Sequence, residues 1–482
     1  MSEQLARAQR AQNENPPKTN PRYRPGYHLS VPAGWLNDPN GFGLFQGRYH
    51  LFFQYHPYDT VWGPMHWGHW TSEDLVRWRL EPVALAPDEP YDEGGCFSGT
   101  SLEKDGKLYL VYTGVTREGR QQQCVAESGD GLYFTKWPQN PVIPSALLGA
   151  GDNPNDFRDP KILAVEGGYR VIAAVREDGE GKLLSFFSED MRAWRAEGVL
   201  WDGLGEMAEC PDCFRLDGCD VIVVAVIGVP APGLVSRQNA MAATGRIENG
   251  RFAPETPKQP LDYGLDFYAP QTALTRDGRR VLIGWALSWG DVTPTRTLGH
   301  GWAGTMTMPR EMRVQDGKIL QAPLAELETL RRNAWRAEPF AVEGERALPR
   351  CAGPRKEILL TARLAQSDRL EIRLMQTGDE FFRLAYDAAR GELTCDRRAC
   401  RYTFTESGER EENCVSTASV PLEDGRLTLH IFVDTSIIEA YAQNGACVMT
   451  ALACPAGDDY AVTLAAEGRP AVETLASWDI IA

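Results

Sequence analysis

The chain has no apolar run approaching the roughly 20 residues needed to span a bilayer. Its first twenty residues, with Glu3, Arg7, Arg10, Asn13, Asn15 and Lys18, lack the apolar core of a secretory leader. Basic charge is not in surplus: 50 Lys and Arg face 66 Asp and Glu, a net charge of −16. An acidic chain repels phosphate backbones and anionic lipid, which argues against nucleic-acid and membrane partners. Histidine is scarce, at seven residues. His66 and His69 stand three apart in a strand-like run, point to opposite faces and make poor metal co-ligands. The eleven cysteines are scattered without a disulfide framework, so reduced thiols in a cytoplasmic protein are expected. Cys210-Pro-Asp-Cys213 is a lone C-x-x-C, with no second pair for zinc and no thioredoxin-like setting.

Long amphipathic helical patterns are also few. The clearest cover residues 2–13 and 324–334. What fills the chain instead is strand-like: 49–55, 108–113, 171–175, 183–187, 221–227 and 281–287 are rich in Val, Ile, Tyr and Phe and bounded by Gly, Asp and Pro. With 482 residues, two domains are expected. A weak repeat runs through the first part. Ser72-Glu-Asp74-Leu-Val-Arg-Trp78 recurs as Ser188-Glu-Asp190-Met-Arg-Ala-Trp194, and more loosely as Ser128-Gly-Asp130 leading to Trp137. The serines are 56 and 60 residues apart, enough for a four-stranded blade plus a loop, which predicts a β-propeller. Each copy reads as a hairpin turn tied by its Asp, followed by a packed Trp.

Composition changes near residue 320. A Glu/Arg/Pro-rich stretch to Arg355 is followed by short runs at 357–364, 370–375, 381–386, 427–433, 436–442 and 447–452. Short strands separated by Gly and Asp turns predict a β-sandwich. The expected organisation is a polar extension at 1–21, a propeller at 22–335 and a sandwich at 340–482.

Three carboxylates stand in unusual settings. Asp38 lies in Trp35-Leu36-Asn37-Asp38-Pro39-Asn40-Gly41, whose Asn, Pro and Gly predict a rigid turn rather than the middle of a strand. Rigid polar groups beside an indole suit a sugar, which offers hydroxyls at its edge and C–H groups on its faces. Asp159 is pressed between Arg158 and Pro160, and Glu209 precedes Cys210-Pro211-Asp212. All three are expected at strand or turn boundaries of different blades, from which loops reach a propeller's axis. Glycoside hydrolysis needs two carboxyl groups in different protonation states. Glu209, among Met207, Ala208 and Cys210, reads as the acid; Asp38 reads as the fixed anion; Arg158 reads as the cation that keeps Asp159 ionised.

These residues carry a resemblance. Trp-Leu-Asn-Asp38-Pro-Asn-Gly, Phe-Arg-Asp159-Pro and Glu209-Cys-Pro-Asp resemble, in order, the signature motifs of glycoside hydrolase family 32, the β-fructofuranosidases. Phe53-Gln54-Tyr55, Trp62-Gly63, His66-Trp67-Gly68-His69, Phe97-Ser98-Gly99, Asp266-Phe267-Tyr268-Ala269-Pro270-Gln271 and Phe432-Val-Asp434-Thr-Ser436-Ile-Ile-Glu439 are similar to further family segments. The likeness runs from about residue 22 to 480. Two departures stand out: Ala208 where the family often has Trp, and Leu36 where many members have Met.

The resemblance implies an all-β protein, a five-bladed propeller followed by a sandwich, and a retaining enzyme that releases terminal β-fructofuranosyl units from sucrose, sucrose 6-phosphate or short fructo-oligosaccharides. It implies Asp38 as nucleophile, Glu209 as general acid/base and Asp159 as transition-state stabiliser. Arg158 would orient the acid side of the pocket. Asn37, Gln54, Trp62, Phe97, Ser98, Tyr268 and Trp285 become candidates for the fructose site. Trp62 ranks above Trp285 because it sits in a Gly/Pro-rich loop rather than an apolar strand. No metal or cofactor is implied, and monomer and homodimer stay open. The rivals are a propeller glycosidase acting on arabinan or xylan, a fructosyltransferase on the same scaffold and a non-catalytic fructoside-binding protein.

Overall fold

The computed structural model describes every residue except Met1, Val235 and 406–412. Among the described residues helix is confined to α1 (Glu3–Glu14), the four residues Pro294–Thr297 and short 3₁₀ turns; the rest of their regular structure is β. The expected helix at 2–13 is α1, with Ser2 as its N-cap. The one expected at 324–334 is instead a 3₁₀ stretch, Ala325–Leu330, running straight into a strand, Arg331–Arg336. Its apolar residues Leu324, Leu327 and Leu330 anchor it at threefold spacing, the period of a 3₁₀ helix.

Five antiparallel sheets follow one another along the chain. The first holds β1 (Gly34–Phe45), β2 (Arg48–His56), β3 (His66–Ser72) and β4 (Trp78–Leu85). The other four begin at Gly95–Lys104, Asp152–Val165, Met207–Leu216 and Tyr268–Leu274. Each of these first strands contacts the first strands of both neighbouring sheets, so the five close into a ring around an axis. This is a five-bladed propeller. Trp302–Ala303 pairs in parallel with Gly34 and Trp35 of β1 and joins the end of the ring to its beginning.

The Ser-x-Asp repeat marks the turn between third and fourth strands. Ser72 Oγ accepts from the N–H groups of Asp74 and Leu75, while Asp74 Oδ1 accepts from Val76 and Arg77. Ser128 with Asp130 repeats the pattern, and Asp190 does so for Arg192 and Ala193. The side chains replace ladder partners that the tight turn removes. Trp78 and Trp194 then fold back, donating to the carbonyls of Leu75 and Met191.

Beyond residue 330 two sheets, of seven and six strands, pack face to face over one core that includes Ile358, Leu360, Ile372, Leu384, Leu429 and Leu464. Alternating burial along Arg355–Arg363 and Glu380–Asp387 is that of strands with one face inward. Sandwich and propeller meet through buried charge. Asp434 accepts backbone N–H bonds from Gly26, Tyr27 and His28. The His28 ring bridges Asp434 and Glu439, with each nitrogen 3.0 Å from a carboxylate oxygen. Glu439 also takes Met308 N–H and the Arg310 guanidinium, which reaches on to Asp262 at 2.9 Å.

Two carboxylate partners require both His28 nitrogens to be donors, so the ring is an imidazolium. Burial alone would lower its pKa, but the two carboxylates outweigh it and hold it at about 8. Burial would likewise raise Glu439, but Arg310 and His28 hold it at about 2. The His28 contribution to stability is therefore complete below about pH 6.5 and lost as pH rises through 8. That of Glu439 is complete above about 4.5 and lost as pH falls through 2. Glu439→Gln should cost about 3–5 kcal/mol and narrow, without abolishing, the alkaline loss of thermal stability between pH 6.5 and 8, since Asp434 still holds the His28 ring; melting curves across pH check both.

Candidate active site

The first strand of every blade breaks register at a corresponding place, and those of the first and third blades break it once more elsewhere. In β1 the pairing with β2 skips between Leu36 and Pro39, leaving Asn37 and Asp38 as extra residues. The later blades skip at Ser98, at Asp159-Pro160, at Cys210-Pro211 and at Ala269-Pro270. Four of the five breaks contain or adjoin a proline, which has no N–H for the ladder. Asp159, Cys210 and Ala269 also adopt the left-handed conformation, at φ of 61°, 47° and 47°. A bulge re-aims the side chains on either side of it. Here all five re-aim at the axis.

This corrects the expectation that Asp38 sits in a turn and the three carboxylates at strand boundaries. They lie inside strands, at bulges. Neighbouring blades satisfy the freed backbone groups: Asp159 N–H donates to Thr113 Oγ1, Thr100 Oγ1 to Pro160 O, and Gln271 Nε2 to Gly99 O.

The three carboxylates converge at the floor of a cavity of about 310 Å³, lined by Asn37, Asp38, Gln54, Trp62, Phe97, Ser98, Arg158, Asp159, Glu209, Ile227 and Trp289. Asp38 Oδ2 accepts from Ser98 Oγ at 2.6 Å, and the Cys210 thiol lies 3.5 Å from the same oxygen. Asp38 Oδ1 is buried and has no hydrogen-bond partner among the described residues. Asp159 Oδ2 accepts from Cys210 N–H at 2.9 Å and lies 3.6 Å from its thiol. Glu209 is gripped on both oxygens, by Arg158 Nη1 at 3.1 Å and by the Tyr268 hydroxyl at 2.8 Å.

Arg158 lies on the acid side of the pocket, but it does not pair with Asp159 as expected. Its guanidinium bonds Asp156 and Glu209, not Asp159. Burial and the charges of Glu209 and Asp38 outweigh Arg158 and push Asp159 up to about 7. Burial raises Asp38 as well, against the Ser98 hydrogen bond, with Glu209 adding to the rise. Asp38 and Asp159 have no ion pair among the described residues, and crowding by like charge favours a retained proton on them.

Gln54 donates to Cys96 O, and the Asn37 amide oxygen accepts from Trp35 Nε1. Trp62 is 46% exposed at the rim, edge-on to Phe97. Trp285 is wholly buried behind Trp35 and Trp289 and lines only a second, adjoining cavity of about 490 Å³. That cavity shares Trp62 and Trp289 with the first and adds Ser288, Asp291 and Arg296. Trp289 went unread in the sequence, although Ser288-Trp289-Gly290-Asp291 is a polar, glycine-containing setting like that of Trp62. Cys210 went unread because its C-x-x-C spacing drew attention to metal and redox chemistry. Its value is as a small thiol touching two carboxylates, and burial with the nearby carboxylates pushes its pKa far up, so it stays protonated.

The sequence matches the model of the glycosyl hydrolases family 32 N-terminal domain over residues 28–323 and that of the family's C-terminal domain over 326–479. The chain belongs to glycoside hydrolase family 32. It is 35% identical to a raffinose invertase and 34% identical to a sucrose-6-phosphate hydrolase, both of Escherichia coli, over 98% and 95% of each chain respectively. Its fold is similar to that of a Bombyx mori family 32 β-fructofuranosidase, at TM-score 0.85 and 30% identity, covering 99% of this chain and 98% of the other. A sucrose-6-phosphate hydrolase from Lactobacillus gasseri gives TM-score 0.85 at 25% identity, covering 99% and 96%. The protein is thus a family 32 glycosidase of the β-fructofuranosidase type. No helix of the described residues is long and apolar enough to cross a membrane.

In this family 32 site the hydroxyl of Ser98 favours the Asp38 anion. Ser98→Ala should raise the Asp38 pKa further, because it removes a hydrogen bond that favours the anion. The acidic limb of kcat/KM should move to higher pH, which a pH–rate profile checks.

Proposed function

We propose that this enzyme releases the terminal non-reducing β-fructofuranosyl unit of sucrose, sucrose 6-phosphate or short fructo-oligosaccharides, with retention of configuration. The observation that carries the reading is the asymmetry of Asp38. One oxygen is pinned by Ser98 and Cys210, and the other is buried and unpartnered beside the cavity. An unsolvated, unshared carboxylate oxygen is poised to attack an anomeric carbon.

Asp38 attacks that carbon and forms a covalent fructosyl ester. Glu209, oriented by Arg158 and Tyr268, gives its proton to the departing oxygen, then takes one from water as the ester is cleaved. Asp159 accepts from fructose ring hydroxyls and stabilises the oxocarbenium-like transition state; its high pKa suits a group that shares a proton with a hydroxyl before charge develops. Asn37 and Gln54 offer amides to vicinal hydroxyls, and Phe97 and Trp62 wall the ring. The two adjoining cavities have room for a fructosyl unit and one leaving-group sugar, which fits a substrate of disaccharide size.

Asp38→Ala and Glu209→Ala should each lower fructose release from sucrose by at least about 10²–10⁴-fold. Persistent turnover in either variant, or equal cleavage of arabino-oligosaccharides by the wild type, would overturn the mechanism. Arg296 is the basic residue lining the outer cavity among the described residues. Arg296→Ala should lower kcat/KM for sucrose 6-phosphate about tenfold and that for sucrose less than threefold, since a phosphate makes charge-assisted bonds that a hydroxyl does not. Equal losses on both substrates would remove Arg296 from phosphate recognition.

A further inference from the structure

The indole of Trp62 stands between the two cavities on a nine-residue connection, 57–65, from β2 to β3. A half-exposed indole that among the described residues meets one other ring, Phe97, edge-on at 5.7 Å, is a useful wall only if its loop is held. Two holds are local. His56 Nδ1 donates to Val61 O at 2.8 Å, and His66 Nδ1 donates to Pro64 O at 2.9 Å. The other two come from the N-terminus. The Arg7 guanidinium of α1 stacks on the Tyr58 ring at 4.6 Å, and Asn15 Nδ2 donates to Pro57 O at 3.2 Å. Tyr58 in turn stands edge-on to both His56 and His66, at 5.7 and 5.5 Å.

The helix is itself fixed from outside the loop. Gln12 exchanges two hydrogen bonds with the free edge of β4, donating to Glu81 O and accepting from Val83 N–H. Gln9 donates to Val83 O, Ala8 is fully buried, and Ser2 bonds Asp88. Thus α1 is a rigid brace docked on the edge of the first blade, with one arginine extended over the loop's aromatic anchor. Residues 3–15 precede the family model, which begins at residue 28.

We infer that α1 is a positioning element for Trp62, with Arg7 and Asn15 as positioning residues that set affinity for the leaving-group sugar without touching the fructose chemistry. The inference rests on the reading of the outer cavity as the leaving-group site. The brace acts through the loop. Loosening it therefore blurs Trp62 but leaves Asp38, Asp159 and Glu209, which the five inner strands hold, in place.

The test compares wild type, Arg7→Ala, Arg7→Lys and Asn15→Ala as full-length chains, with the same melting temperature required of each. Wild-type cleavage of sucrose, abolished in Asp38→Ala, first secures the reading of the site. Arg7→Ala and Asn15→Ala should then raise KM for sucrose about three- to tenfold with kcat within twofold, and Arg7→Lys should restore most of the loss because an ammonium also stacks on a ring. Inhibition by free fructose, for which Trp62 is only one of several walls of the inner cavity, should weaken less than sucrose binding does. Acrylamide quenching of tryptophan fluorescence should rise in Arg7→Ala and not in Arg7→Ala/Trp62→Phe, a readout independent of turnover. An unchanged KM, a fall in kcat, an equal loss of fructose affinity, or a quenching increase that survives Trp62→Phe would each overturn the inference.

Discussion

The constraint on which this molecule depends is a missing hydrogen atom. Pro39, Pro160, Pro211 and Pro270 sit in the innermost strands of four blades, where a residue ordinarily gives its N–H to the ladder. Pairing fails at the proline, or in the first blade just before it, and two residues come to oppose one; the side chains next to the proline then face the axis instead of a neighbouring sheet. The second blade obtains the same break from Ser98-Gly99, where a Cβ on Gly99 would meet Val111 O at 2.1 Å. Fivefold repetition of one local defect turns a packed channel into a polar site. The cost, a set of orphaned backbone groups, is met by threonines and glutamines from adjacent blades.

A second charged cluster, His28–Asp434–Glu439–Arg310–Asp262, works in the opposite sense. In the active site Arg158 pairs with Glu209 and Asp156, while Asp38 and Asp159 have no ion pair among the described residues, so negative charge is left unmatched at the cavity. At the domain boundary every charge faces an opposite one at 3.0 Å or less. The first arrangement stores electrostatic tension for chemistry; the second discharges it into a fixed orientation of sandwich on propeller. Both are buried, and composition alone does not separate them.

Much of this was legible in the sequence, for identifiable reasons. Strands announced themselves through Val, Ile, Tyr and Phe runs, and the Ser-x-Asp turn was visible because its hydrogen bonds are local. The motif around Asp38 was misread as a turn because Asn, Pro and Gly carry the same weight in a bulge as in a turn. What distinguishes the two is the partner strand, β2, which lies beyond the motif. Arg158 was assigned to its sequence neighbour Asp159, yet adjacent residues in a strand point apart, and the cation reaches Glu209 from another blade. The apolar trio Leu324, Leu327 and Leu330 fits either kind of helix, and only the strand that follows decides. The repeated X-Pro dipeptides at 38–39, 159–160, 210–211 and 269–270 were the unread signal: four instances of one blade position, obscured by variable loops between them.

The parallel pairing of Trp302–Ala303 with Gly34–Trp35 places the seam of the ring directly on the strand that bears Asp38. Residue 34 leaves the ribosome long before residue 303, so β1 lacks its inner neighbour until almost two-thirds of the chain has been made. Gly304 then fits so close to Leu36 O that a Cβ would approach it at 2.1 Å, and Trp302 is fully enclosed. Truncated or stalled products therefore hold the sequence of the reactive strand without its final seating. The strand that bears Asp38 is thus made early and fully paired late.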